Sequence, residues 1–321
     1  MKISFNRKIR RSPWGGGAHF ASSFADYLVT LGHEVHHSLV PGLDWIVMLD
    51  PRDEEGGYDV DAIHRYKMSF PKVKVLHRIN DTGKTRGGDQ LDWLILNANL
   101  AVADHTVFIS DWVKQYYTRV FEAHHSRFWN GEWSKRNHRV IHNGCDSRYF
   151  YDLAEPKMRG EKISLVTHHW SSNVAKGLDL YAHIDELISR GANYTLTYVG
   201  RYPSEYVPKN TKIIQPLYGK DLGDEIRKHD VYVTAARWEA CGSHHVEAAA
   251  CGLPIVYHAE GGGVAEMCSR YGVGIDKVQD FSSALHKLTK DYDIYYNMLK
   301  DHDFSAHAMC DKYHQIMKAS Q

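Results

Sequence analysis

No stretch of this sequence stays apolar for long. The hydrophobic runs fall well short of the roughly 18 residues a membrane-crossing helix needs, so no transmembrane segment is expected. The opening residues, MKISFNRKIRRSPWGGG, are charged and lack the apolar centre of a secretory leader. A cytoplasmic location is therefore expected, with peripheral attachment to a membrane left open. Net charge is also missing: 39 Lys and Arg balance 39 Asp and Glu. No global field draws the chain to nucleic acid or an anionic bilayer. A local basic stretch with an aromatic, Arg7 to Trp14, suits either lipid headgroups, an anionic acceptor or plain solvent. Cysteine is sparse. The five copies (Cys145, Cys241, Cys251, Cys268, Cys310) are odd in number, widely spaced and without a C-x-x-C, which argues against a disulfide framework. There is no short-period repeat and no low-complexity tract. Thr82-Gly83-Lys84-Thr85 looks like the end of a phosphate-binding P-loop, but the full motif needs glycine at position 78, which is Arg78. That sets aside a kinase or ATPase, and Asn80 to Gly88 is expected to be a flexible polar loop.

Histidine is plentiful, with 22 copies and doublets at His36-His37, His124-His125, His168-His169 and His244-His245. Neighbouring residues point to opposite faces of a strand and lie about 100° apart on a helix. A doublet therefore rarely chelates one ion, and no metal site is expected.

At 321 residues the chain is long for one domain and suits two. Apolar runs alternate with helical patterns throughout, the signature of parallel α/β sheets. Strands are expected at 1–5, from near Glu34, and at 43–50, 72–77 and 105–109, with helices over 18–31, 89–103 and 110–121, and residues 139–144 close the first half. A polar stretch with Pro156 and Gly160, from Tyr151 to Lys162, reads as the linker. Beyond it come strands at 163–168, 194–200, 212–215, 230–235 and 253–258. Helices are expected at 177–190, 221–228 and 243–251, then an amphipathic helical segment over 280–319. Two such halves imply a ligand cleft between them.

Chemistry concentrates in Val231 to Val256, VYVTAARWEACGSHHVEAAACGLPIV. A β-branched strand leads through a loop with Arg237, Trp238, Glu239 and Gly242 into a helix near Ser243. Ser243 is placed to cap that helix, and a helix start attracts phosphate. Gly242 lets a ligand come close to the backbone. Glu239 and Glu247 flank the helix start, and carboxylates suit paired sugar hydroxyls. Taken alone, this spacing is equally that of two solvated surface glutamates.

The segment resembles the E-x7-E signature of the retaining, group 1 (family 4) glycosyltransferases of GT-B architecture. Glu239-Ala240-Cys241-Gly242 resembles the E-x-x-G loop of that family. Glu247-Ala248-Ala249-Ala250-Cys251-Gly252-Leu253-Pro254-Ile255-Val256 resembles its E-A-M-A-C-G-L-P-V-V, and Gly262 to Glu266 its G-G-x-x-E. Gly15-Gly16 and Leu31-Gly32-His33-Glu34-Val35 resemble the N-terminal landmarks, and Val140 to Asp146 the V-I-x-N-G-V-D that ends the first domain. The resemblance implies an α/β fold of GT-B type, with two Rossmann-like α/β/α domains facing across a cleft. It places an acceptor-side domain at 1–152, a nucleotide-sugar donor domain at 153–302 and a C-terminal helix, 303–321, crossing back to the first domain.

The resemblance also implies roles. Glu239 contacts the donor sugar hydroxyls, and Glu247 holds the ribose. The N–H groups of Ser243 and His244, next to Gly242, meet the diphosphate. Lys176 neutralises the leaving group. Gly15 and Gly16 let the diphosphate or acceptor approach, and His77, ending a strand, faces the donor sugar or is a structural histidine. The implied activity is a hexosyltransferase reaction with retention, using a UDP- or GDP-linked donor with no cofactor and no metal. The acceptor is a glycan, a lipid-linked molecule or a protein, and no nucleic acid is involved. The family usually carries Gly-Arg ahead of Lys-Gly. Here Thr167 to Ala175 holds no arginine, leaving His168, Ser171 or Asn173 as substitutes. That departure keeps two alternatives in view: a non-catalytic nucleotide-sugar or glycan-binding protein on the same fold, and a nucleotide-sugar epimerase.

Overall fold

The computed structural model describes residues 1–9, 15–52, 57–86, 88–125, 133, 136–154, 158 and 160–320. By contact the chain divides into two compact units, Met1–His142 with Met309–Gln321, and Asn143–Ala308.

The first unit is built on a six-stranded parallel sheet, in the order β2-β1-β3-β4-β5-β6. The strands are β1 (Lys2–Phe5), β2 (Glu34–His36), β3 (Trp45–Met48), β4 (Lys74–Ile79), β5 (His105–Phe108) and β6 (Asn137–Val140). β3 is buried along its whole length, as expected where helices cover both faces of a parallel sheet. Helices α1 (Gly15–Thr30), α2 (Val60–Ser69), α3 (Gly83–Arg86), α4 (Asp89–Val102) and α5 (Asp111–His125) connect the strands. Phe20, Phe24 and Leu28 recur every four residues and form the buried stripe of α1. The last helix of the chain, Ala306–Ala319, returns to this unit. Its Tyr313 is fully buried, with its ring 4.7 Å from that of Phe20 and 5.5 Å from that of Phe24. Beside it, Tyr27 Oη donates to Asp311 at 3.0 Å.

The second unit has its own six-stranded parallel sheet, ordered β12-β11-β10-β7-β8-β9. Its strands are β7 (Ile163–His169), β8 (Tyr194–Gly200), β9 (Lys212–Ile214), β10 (Val231–Thr234), β11 (Ile255–His258) and β12 (Gly272–Ile275). The helices are α6 (Leu178–Ser189), α7 (Gly219–Ile226), α8 (Ser243–Ala250), α9 (Gly263–Cys268), α10 (Phe281–Lys290) and α11 (Tyr292–Lys300), with Ala306–Ala319 as α12. One core packs helices against one face of this sheet, with Leu165, Tyr181, Tyr198, Val231 and Phe281 among its buried members. The chain places β8 and β9 on one side of β7 and then returns to place β10 to β12 on the other. The reversal between β7 and β10 opens a crevice at the carboxyl ends of the strands.

Several elements differ from expectation. The polar loop at 80–88 contains α3, because the Asp92 carboxylate accepts from Gly83 N at 2.7 Å and holds that turn. The strand that closes the first half is β6, which overlaps only the start of 139–144. The helical segment at 280–319 is three helices, broken at Asp291 and at 301–305. Within the stretch read as a linker, residues 155–157 and 159 lie outside the described ones.

Candidate functional site

The crevice of the second unit is walled by the end of β7, the Val174–Lys176 turn that follows it, and the loop from β10 to α8. Gly177 makes the first turn possible. Its φ is +76°, and a Cβ there would lie 2.2 Å from the Ala235 carbonyl oxygen. Only glycine lets the Lys176 turn pack this closely against the end of β10.

The loop carrying Glu239 is held on both sides. Trp238 adopts the left-handed conformation, with φ 55°, a strained state for a bulky residue. Its N–H donates to Glu260 O at 2.8 Å, and Gly263 N donates to Glu239 O at 2.8 Å. These bonds carry Glu239 back toward Lys176. The Lys176 ammonium donates to the Glu239 carboxylate, both side chains being largely withdrawn from solvent.

α8 begins at Ser243, but its N-cap is Gly242, and no side chain caps it. Ser243 is therefore the first residue inside the helix, not the cap. Glycine at the cap is a packing demand, since a Cβ would lie 2.5 Å from the His244 ring. That ring turns inward and meets Thr234 Oγ1 at 3.0 Å. Burial, then His169 and Lys176 nearby, hold the His244 imidazole well below its usual pKa, so it is neutral. What His244 offers the crevice is its backbone, because first-turn N–H groups have no acceptor within the helix. One turn on, the Glu247 carboxylate lies 2.8 Å from His168 Nε2, with the His168 side chain almost wholly buried.

The three residues named as stand-ins for the missing arginine have local partners. His168 faces Glu247. Ser171 Oγ accepts from Asn173 N at 3.1 Å. The Asn173 side chain accepts from Ala175 N at 2.9 Å and caps the turn that carries Lys176. Arg201 lies exposed, 5.9 Å from the Trp170 ring. Sequence reasoning gave no role to His168 beside Glu247 or to Asp179. The signal for the first lies in two residues 79 positions apart, which spacing does not reveal.

The first unit holds the other residues of interest. Gly15 and Gly16 open α1, while Arg10 to Trp14 lie outside the described residues. His77 does not end its strand, which runs two residues further. Its side chain is buried, and Nδ1 accepts from Asn99 Nδ2 at 2.9 Å. That bond leaves Nε2 as the protonated nitrogen. Burial lowers its pKa to about 3, so the ring is neutral. His77 lines a cavity of about 110 Å³ with Arg7, Asp50, Arg52, Asn80 and Asp81, at the carboxyl ends of β1, β3 and β4. Asp50 and Arg52 form a bidentate pair there, at 2.9 and 2.7 Å.

Metal-like strings occur but make no cluster. His33-Glu34-Val35-His36-His37 fits H-E-x-x-H, yet it runs along β2 rather than a helix, so its histidines are not stacked on one face one turn apart. D-x-D occurs at Asp59/Asp61, Asp291/Asp293 and Asp301/Asp303, so that pattern supplies no ground for expecting a metal-free site. These triplets sit at helix ends, with Asp59 accepting from Ala62 N at 2.8 Å as the cap of α2. Among the described residues, no group of three or more His, Cys, Asp or Glu is placed to hold a metal ion. No described helix is long and apolar enough to cross a membrane.

Residues 200–302 match the model of the glycosyl transferases group 1 family. The fold matches solved structures over nearly the whole chain. Sucrose-phosphate synthase from Thermosynechococcus elongatus aligns with a TM-score of 0.70 and 13% identity, covering 99% of this chain and 98% of that one. The Anabaena protein HepE, in complex with UDP and glucose, aligns with a TM-score of 0.69 and 14% identity over 99% of each chain. WaaG, a glycosyltransferase involved in lipopolysaccharide biosynthesis, aligns with a TM-score of 0.62 and 14% identity, again over 99% of each. No curated protein matches the sequence.

The chain has the GT-B fold of these solved structures.

The range matched by the family model contains Glu239, Gly242, Ser243, His244 and Glu247. Lys176 and the residues of the first unit lie outside it. Lys176 joins the matched set through its contact with Glu239.

Proposed function

We propose that this protein is a glycosyltransferase that moves a hexosyl residue from a UDP-linked donor to an acceptor, with retention at the anomeric carbon and without a divalent metal. The observation that carries the reading is the Lys176–Glu239 contact beside the α8 start, with Glu247 one turn further on. A cation, a row of free N–H groups and two carboxylates then lie around one crevice. The N–H groups of Ser243 and His244 and the Lys176 ammonium suit a diphosphate. Glu247, oriented by His168, suits the ribose hydroxyls, and Glu239 suits the hydroxyls of the sugar. UDP is favoured over GDP because HepE is known bound to UDP and to UDP-glucose.

In this mechanism Lys176 exchanges part of its contact with Glu239 for the diphosphate as the glycosidic bond breaks. Charge then develops on the leaving group, where a fixed cation lowers the barrier most. The acceptor attacks the face the diphosphate leaves, so no protein nucleophile is needed. The first unit, with Gly15, Gly16 and His77, serves the acceptor side. There the neutral His77 ring has an N–H to offer a sugar hydroxyl. A screen of UDP- and GDP-sugars for nucleotide release tests the reading, with NMR of the product for the anomeric configuration.

A further inference from the structure

Lys176 and Glu239 come from loops 63 residues apart, and both loops carry a second charged residue. Asp179 follows Lys176 by three positions, in the first turn of α6. Arg237 precedes Glu239 by two. Arg237 Nη1 and Nη2 donate to the two Asp179 oxygens at 3.2 and 2.6 Å. The Arg237 backbone N–H donates to Ala175 O at 2.8 Å, so the same residue grips the Lys176 turn twice. Its Nε lies 3.3 Å from His258 Nε2 at the end of β11.

We propose that the Asp179–Arg237 pair is a positioning clamp that fixes Lys176 against Glu239, and that Arg237 is not itself a ligand of the diphosphate. The role of Lys176 and Glu239 in transfer rests on the function proposed above, whereas the clamp itself does not. A planar guanidinium that meets a carboxylate with both arms fixes direction as well as distance. Here it fixes two loops whose next charged members form the reactive pair. Arg237 directs its side-chain donors at Asp179 and His258, which leaves it turned toward the protein rather than the crevice. Trp238, next to it, takes the left-handed backbone state that swings Glu239 toward Lys176. The pair is partly exposed, with side-chain accessibilities of 23% for Arg237 and 49% for Asp179. Pairs so exposed contribute little to stability. Losing it should leave the fold intact while the reactive pair drifts, and a displacement of about 1 Å at such a site costs on the order of a hundredfold in rate.

The experiment compares the parent chain with Asp179→Asn, Arg237→Lys and the reversed pair Asp179→Arg/Arg237→Asp. Two readouts are taken. In turnover with a UDP-sugar, the single variants lose tenfold or more in kcat, while UDP affinity stays within about twofold, and the reversed pair recovers part of the loss. In reductive methylation with formaldehyde and borohydride, read at Lys176 by peptide mass spectrometry, the single variants are labelled several-fold faster than the parent. Unchanged kcat in Asp179→Asn overturns the clamp. So does a UDP affinity that falls in step with kcat in Arg237→Lys, the mark of a phosphate ligand. Should the parent turn over no donor at all, the transferase reading fails. The labelling still decides the clamp, and equal Lys176 labelling in parent and Asp179→Asn overturns it.

Discussion

His168 Nε2 lies 2.8 Å from the Glu247 carboxylate. On the function proposed above, the histidine supports a carboxylate of the nucleotide site rather than replacing a cation. Removing it leaves Glu247 without its buried partner. His168→Gln should weaken UDP binding about tenfold, close to 1.4 kcal/mol, and Glu247→Gln by at least as much. Calorimetric titration with UDP measures both, and unaltered affinity in either variant contradicts the assignment.

Gly177 places Lys176 through close packing that no other residue allows. Gly177→Ala puts a Cβ 2.2 Å from Ala235 O at a φ of +76°. Strain of this kind costs about 1–3 kcal/mol, a drop in Tm of roughly 2–10 °C. Gly191→Ala is the control. Its φ is +89°, with nothing within 4 Å of the added Cβ, so it carries only the backbone part. Equal losses in the two variants would show that the contact with Ala235 is not the constraint.

Buried imidazoles set the acid response. Burial lowers His77 to about 3 and His229 to about 4. Below the ordinary histidine value of about 6.5 the unfolded chain binds protons that the folded chain refuses. Stability is therefore full above that value and is lost as pH falls toward 4. Each such residue contributes about 1.4 kcal/mol of loss per pH unit across its window. Thermal melts from pH 7.5 to 4.5 should show Tm falling steadily below pH 6.5. A flat profile over that interval contradicts the neutral, buried state of these rings.

Much of the architecture is readable from the chain. β3 (WIVM) and β10 (VYVT) are short apolar runs bounded by turn residues, and a helix follows nearly every strand, so parallel sheets were expected and are found. α2 was not foreseen because VDAIHRYKMS buries only Ile63 and Tyr66, too sparse a stripe to mark a period. β12 (GVGI) was missed because alternate glycines hide a strand. The E-x7-E segment lies at the crevice of the second unit because a strand end, a loop and a helix start follow one another there in one stretch of sequence. What it did not show is side-chain direction. The inward turn of His244, the His168–Glu247 pair and the Asp179–Arg237 pair depend on packing across separate loops. Ser243 was misplaced by one residue for the same reason, as the cap position is filled by glycine to clear the His244 ring.

The central claim is that Glu239 acts on the donor sugar while Glu247 and the α8 start hold the nucleotide. The most direct measurement is UDP release from UDP-sugars by the parent chain and by Glu239→Gln, with UDP affinity measured in parallel. The account predicts turnover by the parent, a loss on the order of a hundredfold in the variant, and UDP affinity unchanged within about threefold. Undiminished turnover in Glu239→Gln would contradict it, as would a parent chain that binds UDP tightly yet releases it from no donor.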